Sequence, residues 1–196
     1  MEKKITLVQI NDTHSYLEAH NEVFYEGKQL VFRKAGGYAR IQTLLKEMRK
    51  DVSIVVLDNG DTIHGTYEAV ATTGWNMVPI LNDLSLSAMT FHWDTGYGPE
   101  NLKKIGTALN YPILAINVYD EQTKELVFEP YRILETNGVS IGVIGVACNI
   151  IDKTMPKNFS EGIYFTLGKE ELPHYIKELK AKNVQMIVLL SHLGFP

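Results

Sequence analysis

Short apolar runs alternate with helical stripes along the chain. Ile5-Thr6-Leu7-Val8-Gln9-Ile10 predicts a first strand, because its β-branched members suit a pleated surface. Asn11 and Asp12 break that strand. Val23-Phe24-Tyr25 and Gln29-Leu30-Val31-Phe32 flank Glu26-Gly27 and predict a hairpin set apart from the core. After Gly36-Gly37, the residues Tyr38, Ile41, Leu44, Leu45 and Met48 share one helical stripe, with Lys46, Glu47 and Arg49 toward water. Ser53-Ile54-Val55-Val56-Leu57 is almost wholly apolar, as where a sheet is covered on both faces. Strand, helix, strand makes a βαβ unit, which brings the ends of its two strands to one edge.

Further on, a helical stretch runs from Glu68 to about Leu84, interrupted by Gly74 and Pro79, so two pieces or a long loop are expected. Residues 86–90 predict a short strand and residues 91–98 a loop. Pro99 opens another helix, which buries Leu102, Ile105 and Leu109. Residues 111–118 predict a strand ending near Asn117. Residues 126–128 and 131–134 predict a hairpin, and 139–146 a buried strand after the turn at Asn137-Gly138. Residues 151–168 carry no pattern. A helix with Leu172, Tyr175, Ile176 and Leu179 on its apolar face then precedes a last strand over 184–190. No repeat or low-complexity tract interrupts this order.

The length of 196 residues suits one domain. Net charge is −4 with both signs mixed, which argues against a nucleic-acid surface or a polybasic membrane contact. Cys148 is the single cysteine and follows an apolar run, so it reads as a small buried hydrophobe. No hydrophobic leader follows Met1, and no apolar run reaches the roughly 20 residues of a membrane span. The chain as written predicts a cytoplasmic protein, or a secreted or cell-surface one where an export signal has been removed.

The chemistry gathers at the strand ends. Asp12 and His14 follow the first strand, Asp58 and Asp61 the second, His92 the third, and His192 the last. Singly, each has a structural explanation; Asp58, for example, could hold its turn through backbone amides. Together they predict that consecutive strands of one sheet deliver Asp and His side chains into a shared pocket. Mixed carboxylate and imidazole ligation suits Mn²⁺, Fe, Zn²⁺ or Co²⁺ rather than Ca²⁺ or Mg²⁺. Two such ions roughly 3.5–4 Å apart can activate water near neutral pH and clamp a tetrahedral ester.

The ordered set Asn11-Asp12-Thr13-His14, Gly36-Gly37-Tyr38-Ala39-Arg40, Gly60-Asp61 with Gly65-Thr66, Tyr97-Gly98-Pro99-Glu100, Ala115-Ile116-Asn117-Val118 and Ser191-His192-Leu193-Gly194 resembles the N-terminal domain of the 5′-nucleotidase branch of the calcineurin-like metallophosphoesterases. The resemblance runs from Ile5 to Gly194. It implies an α/β fold, the α/β/β/α sandwich of that superfamily, with residues 1–196 as the N-terminal part of the metallophosphoesterase domain. It implies two divalent ions (Mn, Zn or Fe). Asp12 and His14 would hold the first, Asp61 would bridge, and His92 and His192 would hold the second. His92 and Asp94 are the catalytic candidates, and Asn117 is expected to shape the substrate wall. The implied substrate is a small phosphate ester such as a nucleotide.

Three departures qualify the resemblance. The family's Gly-Asn-His-Glu loop is replaced by Phe91-His92-Trp93-Asp94, which puts Trp93 where a catalytic imidazole is expected; indole cannot protonate a leaving alkoxide. That loop is similar to the His-Trp-acid loop of the sulfur-oxidation thiosulfohydrolases, a dimanganese branch, so attack on a sulfonate-type ester is the second expectation. His64 replaces a common Gln and leaves two readings open, a site residue or a surface turn. Finally, the chain ends before the family's Gly-His-x-His motif and nucleoside-binding domain. This implies a domain truncated before the last part of its second sheet, with weakened metal binding and an apolar face open to self-association. A catalytically degenerate binding domain is the third expectation.

Overall fold

The computed structural model describes residues 3–194. Four layers are stacked, helices outside and two sheets within. The first sheet has the order β1 (Thr6–Ile10), β4 (Ile54–Asp58), β5 (Ala88–Met89), all parallel, with Val8 opposite Val56 and Ile10 opposite Asp58. Its outer face is covered by α1 (Tyr38–Asp51), α3 (Met77–Asp83) and α4 (Pro99–Ala108), through Leu45, Met77, Leu81, Leu102 and Ile105 packed on Val56 and Met89. The short α2 (Tyr67–Ala71) precedes α3, with Gly74 in the gap between them. The helix expected over 68–84 is therefore in two pieces.

The second sheet has the order β10 (Met186–Ser191), β8 (Val139–Val146), β7 (Tyr131–Thr136). Strand β8 carries two apolar stripes because it is buried on both sides. Ile141 and Val143 meet Val55, Leu57 and Ala88 of the first sheet, together with Leu190. Ile144 and Val146 meet Leu179 of α6 (Leu172–Ala181). A side chain at residue 142 would collide with that helix: a Cβ on Gly142 would lie 2.7 Å from Leu179 Cδ1.

Several sequence expectations are corrected. The strand ends that carry the candidate ligands belong to two sheets, not one, since His192 follows β10 while Asp12 and Asp61 follow β1 and β4. Residues 111–118 do not form a strand. They leave the first sheet at the bridge of Met89 to Ile113, bridge Leu114 to Glu129, and reach the second sheet where the Ile116 N–H donates to Gly145 O, before β6 (Val118–Asp120) pairs with β9 (Ile163–Phe165). The run 126–128 makes only the bridge of Leu126 to Tyr119, and the true partner of β7 is β8. The span 151–168 holds α5 (Ile151–Thr154) and β9. The expected hairpin is longer than its apolar core, with β2 (His20–Glu26) paired to β3 (Gln29–Ala35) in full register. No helix among the described residues is long and apolar enough to cross a membrane.

Candidate metal centre

The centre is built where the loops after β1, β4, β5 and β10 converge. Residues 58–63 form its floor. Gly60 is required there: a Cβ would stand 2.6 Å from Phe91 Cα, so only glycine lets the two loops touch. Asp61 follows in the left-handed region at φ 61°, as do Asp12 at 53° and His14 at 48°. Non-glycine residues seldom adopt this geometry unless surrounding bonds impose it.

Two buried carboxylates hold the Asp61 turn, while the Asp12 and His14 N–H groups donate to the Gly60 and Asp61 carbonyl oxygens. Asp94 is 1% exposed, and its oxygens accept the main-chain N–H groups of Asp61 (2.8 Å), Thr62 (2.8 Å), Ile63 (2.7 Å) and His92 (3.1 Å). Asp58, fully buried, accepts from the Gly60 N–H at 2.9 Å and from the Thr62 hydroxyl. Burial pushes the Asp58 carboxyl up to about 7, against the lowering effect of the Gly60 N–H. Asp94 was expected to be catalytic; its carboxylate is instead turned inward and fully engaged by backbone. Asn117 was expected to meet substrate. It is buried with its amide committed to Ala147 O, Ala147 N and Thr166 O, which leaves no polar atom for a ligand.

Imidazoles surround the Asp61 carboxylate. His64 Nε2 bonds Oδ1, while Oδ2 lies 3.0 Å from His92 Nδ1 and 3.4 Å from His14 Nε2. His192 stacks on His92 with ring centroids 4.4 Å apart, and its Nδ1 lies 2.8 Å from the Asn59 carbonyl oxygen. Asp12 sits between the two sides, 3.9 Å from both His14 Nε2 and His192 Nε2, with its side chain about half exposed. Burial would raise the Asp61 carboxyl, but hydrogen bonds from His64 and His92 outweigh it and hold the group below the ordinary carboxylate range. Burial likewise disfavours the His92 cation, yet the bond to Asp61 and the neighbouring Cys148 hold it up at about 9.

These donors fall into two groups, His14 with Asp61 and His64, and Asp61 with His92 and His192, each with ligand atoms within 4.8 Å of one another. Asp61 is common to both. The donor set fits two divalent ions on structural grounds. Four imidazoles crowd one carboxylate that cannot satisfy them all, and His92 Nε2 is buried without a hydrogen-bond partner. His64 is the residue on which the sequence left two readings open. Its cue was the spacing from Asp61, three residues along the same turn. Trp93 stacks on His92 at 4.6 Å and supplies no acid or base.

No family model matches the chain. Over 198 residues it is 30% identical to the probable 5′-nucleotidase of Treponema pallidum, covering 98% of this chain and 33% of that one. It is 28% identical to the 5′-nucleotidase of Vibrio cholerae, covering 97% and 34%. Over nearly its whole length, the chain is similar to 5′-nucleotidases. It spans about a third of the length of those relatives. Its fold is that of the calcineurin-like phosphoesterases. Among solved structures, the sulfate thiohydrolase SoxB of Thermus thermophilus superposes with a TM-score of 0.86 at 20% identity, covering 99% of this chain and 44% of that one.

Proposed function

We propose that this chain carries part of the active site of a metal-dependent hydrolase that cleaves small phosphate esters, nucleotides among them. The supporting observation is the Asp61 carboxylate shared between two groups of imidazoles. His14 and His64 would hold one ion, His92 and His192 the other, with Asp61 between them and Asp12 at the rim. Two divalent ions in such a site supply Lewis acidity toward the ester and its attacking water. The protein's own residues provide the geometry. Asp94 and Asp58 pin the backbone of the floor so that Asp61 points into the centre, and the Asn59 carbonyl orients His192 through its Nδ1. The test is phosphate release from nucleotides and from bis-aryl phosphates, with Mn²⁺, Zn²⁺ or Fe²⁺, by this chain carried in a protein of its relatives' length. Metal-dependent turnover is expected; none on either class would overturn the reading.

A second reading changes the bond. Trp93 gives no proton to a leaving group, which suits an S-sulfonated thiol whose thiolate departs unprotonated. Sulfate release from such a substrate, with no phosphate release from nucleotides, separates the two.

A further inference from the structure

A ligating imidazole can still turn about its Cβ–Cγ bond, so its aim depends on what else holds the ring. At His192 that hold is a hydrogen bond, with Nδ1 2.8 Å from the Asn59 carbonyl oxygen. His92 has no such hold from outside the donor set. Its Nδ1 lies 3.0 Å from Asp61 Oδ2, itself a candidate ligand, and its Nε2 is buried with no hydrogen-bond partner. The Cys148 thiol is close to the ring, yet no group stands in hydrogen-bonding geometry to Nε2. What lies on His92 instead is aromatic. Trp93 stacks with it at 4.6 Å between centroids and 25° between planes, and His192 does so at 4.4 Å and 26°.

The indole is itself anchored. It packs against the main core, and the main chain beside it is fixed where the His92 N–H donates to Asp94 at 3.1 Å. Its own Nε1 is buried without a partner, so packing alone sets the ring. Trp93 also stands near the other donor group, with its ring 6.0 Å from that of His64 and tilted by 54°. We propose that Trp93 is a positioning residue of the metal centre: its stacked ring fixes the rotation of His92 toward Asp61, in place of the hydrogen bond that His92 lacks. The inference rests on the two-ion reading above and adds a residue to it. An imidazole that shares a lone pair with a cation is electron-poor, and the face of an indole is electron-rich, so the stack strengthens when an ion is bound. The hold is stronger on the His92 and His192 side than on the His14 and His64 side, where the indole is farther and tilted.

The experiment replaces Trp93 with Leu, which has no flat face, and with Phe, which has one, in this chain carried in a protein of its relatives' length. Affinity for Mn²⁺ and Zn²⁺ is read by competition with a chelating dye, and ligand geometry by the visible absorption bands of bound Co²⁺. Trp93→Leu should weaken one of the two ions by roughly 10–100-fold and alter the Co²⁺ bands. Trp93→Phe should restore most of the affinity and the original bands. Trp93→Met, flexible and of similar bulk to Leu, carries the same prediction should Trp93→Leu fail to fold, which melting temperature reports. Cys148→Ala, which removes the other neighbour of the ring, should change neither reading. Unchanged affinity and bands in Trp93→Leu would overturn the role of Trp93 and leave the two-ion reading standing. Equal losses in the Leu and Phe variants, or an equal loss in Cys148→Ala, would do the same. An unmodified protein that binds no divalent ion would overturn the two-ion reading and this inference with it.

Discussion

The turn after β4 and the hairpin of β2 and β3 are held by different forces. In the turn, Asp58, Asp61 and Thr62 are buried; Asp58 accepts from Gly60 and Thr62 within the turn, and the Asp61 and Thr62 N–H groups donate to Asp94 of the next loop. The hairpin is held by its own ladder and an exposed Arg33–Glu26 pair, and it leaves Tyr25 and Phe32 78% and 71% exposed. Surface ion pairs contribute little to stability, whereas an unsatisfied buried group is expensive. The turn should thus tolerate almost no substitution and the hairpin strand tips almost any. His20 lies at the base of the hairpin, in a cleft that Asp12 also lines.

The sharpest way to break this contrast is Asp61→Ala. With the shared ligand gone, both ion sites should weaken by more than roughly 100-fold, read as metal content and phosphate release. Retained two-ion binding would mean that the turn does not organise the centre. Next comes Asp94→Ala, which strips the acceptor from four main-chain N–H groups. A loss on the order of 5 kcal/mol is expected in chemical denaturation, with Asp94→Asn milder because it keeps one acceptor oxygen.

The pH dependence of stability sharpens the picture further. Because the folded Asp58 carboxyl titrates at about 7, its protonated form favours the folded state. That contribution is complete below about pH 4 and is lost as pH rises to about 7, worth up to about 4 kcal/mol. Asp61 runs the other way, since its carboxyl is held low: its contribution is present above about pH 4 and is lost in acid. Asp58→Asn should flatten the loss between pH 4 and 7; an unchanged slope would assign it to other groups. The smallest effect belongs to the hairpin. Tyr25→Ser with Phe32→Ser should move stability by less than about 1 kcal/mol, while lowering any self-association seen in sedimentation.

Much of this was legible along the chain. Period-2 and period-3.6 patterns are local, so β1, α1, β4, α4, β8, α6 and β10 were readable from residues a few positions apart. Strand ends in an α/β protein gather by topology, so Asp12, His14, Asp61, His92 and His192 could be grouped before any coordinates. Partners remote in sequence were not readable. Asp94 and Asn117 look like surface-capable polar residues in their own segments. Only the approach of residues 61–63 to residue 94, and of 147 and 166 to 117, turned them into buried braces.

The sequence by itself determined the order of strands and helices and the residue types that meet at their ends, because hydrophobic period and turn chemistry act over short spans. Only the tertiary structure decided that two sheets rather than one supply the candidate ligands, that His64 stands among them, and that His20 shares a cleft with Asp12. Those outcomes depend on which distant segments pack together, and no local pattern encodes that packing.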